Sequence, residues 1–230
     1  MPTQKTLGLL GGLGVGATVL YYEGITSRAA RRGFVPNLVI SHAHASMALA
    51  LVTAGRIDDL AAYLAGFANR LAAAGADLLA IPAITPHICI AELQRLTPLP
   101  FVDILDVTAA AIRARGLQRI ALFGTRFTIE QKLFGRLTGF DIVTPQPTEV
   151  DEIHDIYVAI ATSGHGTDAQ QARLRKLAHT LCRRDGVEAI VLAGTDLNLV
   201  FNDTNTDFPA VDCANAHIDA IVAALSPQSV

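Results

Sequence analysis

Apolar residues along this chain alternate between two patterns. Short unbroken runs such as Leu7-Gly8-Leu9-Leu10, Leu78-Leu79-Ala80-Ile81, Ile120-Ala121-Leu122-Phe123 and Ala189-Ile190-Val191-Leu192 are separated by longer stretches with apolar residues every three or four positions. Continuous runs of this length read as parallel strands buried on both faces, and the spaced stretches as amphipathic helices. The helix expected over about 57–74 is the clearest, with Leu60, Leu64, Phe67 and Leu71 on one face. Further helices are expected from the Gly12–Ala17 turn to about residue 32 and over 87–96, 107–115, 149–161, 168–184 and 213–225. Two capping boxes, Thr128-Ile129-Glu130-Gln131 and Thr167-Asp168-Ala169-Gln170, mark helix starts. Weaker strands fall at 36–41, 141–144 and 209–212, while 45–56 receives no element. Strand and helix alternate throughout, which predicts an α/β protein with mainly parallel sheets flanked by helices.

The strands recur in pairs. Thr6–Gly12 corresponds to Arg119–Thr125, and the run ending at Ile81 corresponds to the run ending at Leu192, each introduced by a Gly-x-acid triplet. Matching strands at matching offsets imply two pseudo-symmetric lobes with a site in the cleft between them. The expected division is 1–106 plus 207–230 for the first lobe and 107–206 for the second.

Composition narrows the class. Half of the 230 residues are apolar and 17% are charged, enough for extensive burial and too few charges for a disordered chain. A net charge of −3 without a basic run argues against nucleic acid. Every apolar segment is interrupted before it reaches membrane-spanning length, so no membrane partner is expected. The first residues enter a strand without an apolar leader, and Cys89, Cys182 and Cys213 form no CxxC pair, which together predict a reduced, cytoplasmic protein. All three thiols read as buried and inert.

Gly12-Leu13-Gly14-Val15-Gly16-Ala17 fits a dinucleotide fingerprint, but the next strand ends Val39-Ile40-Ser41-His42 with no acid for a ribose. The glycines are better read as a strand-to-helix turn whose N–H groups face a small anion. Thr85, Thr125, Thr128 and Thr195 lie just past strand ends in both halves, where hydroxyls beside backbone N–H groups make a carboxylate clamp.

These segments together resemble the cofactor-independent aspartate/glutamate racemase family over nearly the whole chain. The resemblance is carried by Gly8-Leu9-Leu10-Gly11-Gly12, Tyr21-Tyr22 and Pro82-Ala83-Ile84-Thr85-Pro86-His87. It continues through Leu122–Gln131, Leu192-Ala193-Gly194-Thr195-Asp196-Leu197, Val211-Asp212 and His217. It implies two lobes, no cofactor, a small carboxylate or amino-acid-like substrate, and two thiols on opposite faces of the substrate α-carbon. The chain departs from that pattern where the thiols belong. The motif expected to read Cys-Asn-Thr is Ala83-Ile84-Thr85, and the one expected to read Gly-Cys-Thr-Glu is Ala193-Gly194-Thr195-Asp196. Alanine and glycine move no proton, so a two-thiol mechanism is excluded on this reading.

His42 and His44 at the end of the second strand, His87 and Asp196 remain as acid/base candidates, with His44 and Asp196 foremost. Histidine and aspartate also bind metals, but no metal is expected here, because His42 and His44 share a face only if the strand stays regular. The substrate is expected to meet Gly12, Thr85, Thr125, Thr128 and Thr195, with Ala83, Ile84 and Gly194 leaving a wider, less polar pocket. The expected activity is isomerase, decarboxylase or lyase chemistry beside a carboxylate, by a homodimer. The alternative is a binder of small carboxylates that has lost catalysis.

Overall fold

The computed structural model describes residues 4–202 and 204–227. The chain divides into two compact units, Met1–Ile104 with His217–Val230, and Leu105–Ala216.

The first unit runs β1 (Thr6–Gly11), α1 (Val15–Arg31), β2 (Asn37–His42), α2 (Ala45–Thr53), α3 (Ile57–Ala73), β3 (Leu78–Ala80), a 3-10 turn Thr85–Cys89 and α4 (Ile90–Arg95). Its strands are all parallel in the order β2-β1-β3. Phe101 extends the sheet beyond β3 by a single bridge to Leu79, with the Leu79 and Val102 N–H groups donating to the Pro100 and Leu79 carbonyls. Central β1 is buried after its first residue and β3 throughout, as continuous apolar runs require. The α3 stripe Leu60, Leu64, Phe67 and Leu71 is buried as its spacing demands.

The second unit runs α5 (Ile104–Ala114), which starts at the boundary, then β4 (Arg119–Phe123), α6 (Arg126–Glu130), β5 (Asp141–Val143), α7 (Pro147–Ser163), α8 (Asp168–Asp185), β6 (Ala189–Leu192), a 3-10 turn Thr195–Leu199 and β7 (Ala210–Asp212). The last helix, α9 (Cys213–Leu225), begins here and carries His217 into the first unit. Strand order is β5-β4-β6-β7, again all parallel. The order repeats that of the first unit, with the Phe101 bridge in the place of β7. That is the internal duplication expected from the strand offsets.

Three expectations need correction. Residues 207–216 go with the second unit rather than the first, because β7 hydrogen-bonds along β6 and completes its sheet. The helix after β4 starts at Arg126, not Thr128: Thr125 is its N-cap, extended at φ −69°, ψ 157°, and accepts from the Thr128 N–H. A capping box not read from the sequence, Gln146 with Glu149, starts α7 at Pro147. The box at Thr167 and Gln170 is present, and α8 closes on Gly186 in the left-handed conformation.

Candidate functional site

In each unit the residues singled out above gather at the carboxyl ends of the strands, where open α/β sheets place their ligands.

In the first unit, β1 ends in Gly11-Gly12 and β2 in His42-Ala43-His44. Gly12 has φ +84°, and a Cβ there would stand 2.2 Å from the Ala43 carbonyl oxygen, so only glycine lets the two strand ends approach. The Gly12 N–H donates to Thr18 Oγ1 at 3.0 Å, and that hydroxyl donates on to the Gly14 carbonyl. The Gly12 N–H is thus held by the first turn of α1. His42 and His44 are both exposed, with rings edge to face 6.4 Å apart, although β2 ends at His42 and His44 lies beyond it at the start of α2. His44 caps α2 in an extended conformation, and its N–H donates to the Tyr63 hydroxyl at 2.8 Å.

Beyond β3 the chain stays buried through Ala83 and Ile84, and the 3-10 turn starts at Thr85. His87 is buried, and its Nδ1 lies 2.7 Å from the Ala83 carbonyl oxygen. A carbonyl only accepts, so Nδ1 carries the hydrogen and Nε2 is turned to the buried Asp103, 3.9 Å from Oδ1. The His87 imidazole is therefore tied to the backbone of Ala83, with a carboxylate on its other side. No local pattern marks Asp103, which comes two residues after the isolated bridge at Phe101 and joins His87 only through the fold.

Behind this set lies a second buried histidine. His217 Nε2 donates to the Val102 carbonyl at 2.7 Å, and Nδ1 accepts from the Tyr21 hydroxyl at 2.9 Å. Both nitrogens are satisfied by the neutral ring, and burial, reinforced by nearby His87, lowers its pKa to about 3. His217 ties α9, α1 and the strand end at Val102 together, and is a strut.

In the second unit, the 3-10 turn after β6 starts at Thr195, as its counterpart starts at Thr85. Thr195 and Asp196 are buried, at 1% and 2% exposure. Above them lies Tyr157 of α7, whose ring occupies the side-chain space of position 194. A Cβ on Gly194 would stand 2.3 Å from Cε2, 2.8 Å from Cζ and 2.9 Å from Cδ2 of that ring. The Tyr157 hydroxyl donates to Asp196 Oδ2 across a long 3.5 Å and also meets the Thr195 hydroxyl. Burial first, and the Asp196 carboxylate second, hold the phenol protonated well above its ordinary range. Nothing in the sequence marks Tyr157 as a site residue. On α7 it falls in the stripe Val150, Ile153, Tyr157, Ile160, which looks like helix core and nothing more.

Thr125 and Thr128 are buried and face each other, with hydroxyl oxygens 3.0 Å apart, while Thr125 also caps α6. Asp212 closes the β7 end, accepting from the Asn198 and Asn215 side chains and the Asn215 N–H. Burial raises its pKa even so.

Neither buried cysteine is poised as a thiolate. The Cys89 thiol donates to the Pro86 carbonyl and burial pushes its pKa up to about 12. The Cys213 thiol donates to the Leu192 carbonyl, and burial followed by the Asp212 charge raises it well above its ordinary value. Cys182 on α8 is partly buried and raised as well, by desolvation. Among the described residues, no helix is long and apolar enough to cross a membrane, and no three His, Cys, Asp or Glu converge as metal ligands.

Comparison with known proteins agrees with this architecture. The chain is 23% identical over 158 residues to the broad specificity amino-acid racemase RacX of Bacillus subtilis (strain 168), covering 67% of each chain. Two crystal structures superpose over 96% of this chain and 99% of their own. A "putative Asp/Glu racemase" from Yersinia pestis has a TM-score of 0.83 at 27% identity. An aspartate racemase homologue from Pyrococcus horikoshii OT3 has a TM-score of 0.77 at 25% identity. The model of the Asp/Glu/hydantoin racemase family matches residues 10–221, and with two parallel-sheet units built on one strand order the chain belongs to that family.

Proposed function

We propose that this protein is an isomerase of racemase type, or a close chemical relative, that moves a proton at the carbon beside the carboxylate of a small amino-acid-like substrate without using thiols or a cofactor. The family supports racemase-type chemistry on amino acids. The observation that carries the non-thiol reading is the Tyr157 ring packed on Gly194. The second thiol position of the family pattern is empty in sequence, and its space is filled by a phenol bonded to Asp196. The buried cysteines offer no substitute, since both are held as neutral thiols.

The acid/base candidates are then His87 with Asp103 behind it and exposed His44 and His42 in the first unit, and Asp196 with Tyr157 in the second. A histidine abstracts or returns a proton near neutral pH without special tuning. Asp196 is the proposed proton-transfer group of the second unit, with the Tyr157 hydroxyl and Thr195 fixing its orientation. Thr85 and Thr195, heading equivalent 3-10 turns, are the proposed carboxylate contacts together with Thr125 and Thr128 at the α6 cap.

The second reading, a carboxylate binder without catalysis, draws on one feature. The polar groups at the strand ends already have partners within the protein: Thr125 with Thr128, His87 with Ala83, Asp196 with Tyr157. Proton exchange separates the two. Purified protein in D₂O, incubated with D- and L-amino acids and small 2-substituted carboxylates, is followed by NMR for loss of the α-proton signal. Exchange that disappears in Asp196→Asn and in His87→Gln supports the enzyme. Binding without exchange by any member of the panel supports the binder.

A further inference from the structure

In each unit the helix cations gather at the amino ends of the strands. Of the 18 Lys and Arg residues, Arg28 and Arg31, Arg70, Arg113, and Arg183 and Arg184 stand in the last turns of α1, α3, α5 and α8. Those helices lead back into β2, β3, β4 and β6, so their last turns lie beside the amino ends of the strands they feed. A cation there also complements the negative end of the helix dipole.

The carboxyl ends have the opposite character. The segments leaving β1, β2 and β3, residues 12–27, 43–55 and 81–94, contain no Lys or Arg. Residues 144–172 after β5 contain none either, and none follows Arg184 in the rest of the chain. β4 is the exception, and the guanidinium of its Arg126 is engaged by Asp151 at 2.6 Å and Glu130 at 3.7 Å. Lys132 is exposed and follows only after α6, about one and a half turns further on. Arg56 and Arg173, near the starts of α3 and α8, are paired with Asp59 and Glu152. What the strand ends carry instead is carboxylate and aliphatic. Asp103, Asp196 and Asp212 stand there, the first two buried. Leu13, Met47 and Ile84 follow β1, β2 and β3, with Met47 half exposed on α2 and able to adapt to apolar groups of different shape.

We infer that the site accepts amino acids with an uncharged, apolar side chain and discriminates against aspartate and glutamate. The inference rests on the amino-acid chemistry proposed above and adds the side chain that the site takes. An amino acid with a neutral side chain is a zwitterion without net charge. Aspartate and glutamate bring a second carboxylate, which would give up its water among carboxylates with no uncommitted cation at the strand ends to receive it. A charge desolvated without a partner is costly, and a site can reject a ligand by that cost alone. An apolar side chain pays no such penalty and meets the aliphatic and thioether groups that follow the first unit's strands.

Calorimetric titration of the full chain tests this with ligands similar in shape and different in charge: leucine against aspartate, methionine against glutamate, and norleucine against lysine, each as both enantiomers. The titrations are run at pH 8, where histidine is ordinarily neutral and supplies no cation. Leucine and methionine are expected to bind at least about a hundredfold more tightly than their acidic partners, and norleucine more tightly than lysine. Exchange of the α-proton in D₂O, followed on the same ligands, separates side-chain preference from chemistry. Neutral ligands that bind in this order without exchange uphold the preference and remove the enzyme reading. Aspartate or glutamate binding within about tenfold of its partner overturns the inference, as does lysine binding more tightly than norleucine or no binding by any ligand at about 10 mM.

Discussion

Placing a single methyl group at residue 194 gives the sharpest test of how this protein is built. In Gly194→Ala the new Cβ would lie 2.3, 2.8 and 2.9 Å from three atoms of the Tyr157 ring. Carbon atoms in van der Waals contact sit ~3.5–4 Å apart, so the ring must retreat by more than about 1 Å. It is buried on α7, and a close-packed interior leaves a ring little room to retreat. Overpacking of this kind costs ~1–3 kcal/mol. Withdrawing the hydroxyl from Asp196 and Thr195 adds about 1 kcal/mol. The expected loss is ~2–4 kcal/mol, or roughly 1 M in the urea midpoint for a chain of this size. With no tryptophan in the sequence, far-UV circular dichroism is the signal. Tyr157→Ala alone should lose ~3–5 kcal/mol through the cavity it leaves. In that background Gly194→Ala should cost almost nothing, giving a coupling of ~2 kcal/mol between the two sites. A Gly194→Ala protein within ~0.5 kcal/mol of wild type would refute the claim that Tyr157 fills the space of this side chain, and with it the chief support for thiol-free chemistry.

Other outcomes are expected on independent grounds. His217 is neutral when folded, with a pKa of about 3, and takes up a proton near 6.5 when unfolded; the unfolded chain therefore binds more protons between these values. Stability should be fully present above pH 6.5 and fall by up to ~1.4 kcal/mol per pH unit below it, a slope that His217→Gln should flatten in acid-denaturation titrations. Ellman's reagent at pH 8 should find Cys182 alone in the native protein, because Cys89 and Cys213 are buried and held protonated; fast reaction of all three thiols would contradict the fold at both strand ends. Calorimetry across a carboxylate panel should show Thr195→Val weakening a genuine ligand ten- to a hundredfold, the value of one charge-assisted bond at ~1.5–3 kcal/mol. Thr125→Ala should destabilise by ~1 kcal/mol through the α6 cap, independently of any ligand.

Much of the frame is legible in the sequence because local pattern and burial coincide. β1, β3, β4 and β6 are central strands, and their continuous apolar runs signal two-sided burial without any knowledge of neighbours. The recurrence of those runs discloses the duplication, and the polar residues after them mark strand ends, so Thr195, Asp196 and His87 are found from order alone. Where local cues are ambiguous the reading slips. Two Thr-x-x-polar patterns overlap at 125–131, and the first one caps the helix because the turn out of β4 ends at Thr125. The α2 helix is apolar on all sides and has no period to detect.

The remaining decisions belong to tertiary structure. Residues 207–216 join the second unit because β7 pairs with β6, a contact between strands that no local pattern encodes. Tyr157 has the spacing of any core residue on α7, and only the packing of that helix over the β6 end brings its ring to Gly194 and its hydroxyl to Asp196. Asp103 and His217 likewise gain their partners across the fold, from the turn after β3 and from α1 and Val102. Periodicity states which face of an element is buried, since it depends only on neighbours three or four residues away. What that face meets depends on residues tens of positions distant, as the contact of Tyr157 with Gly194 and Asp196 shows.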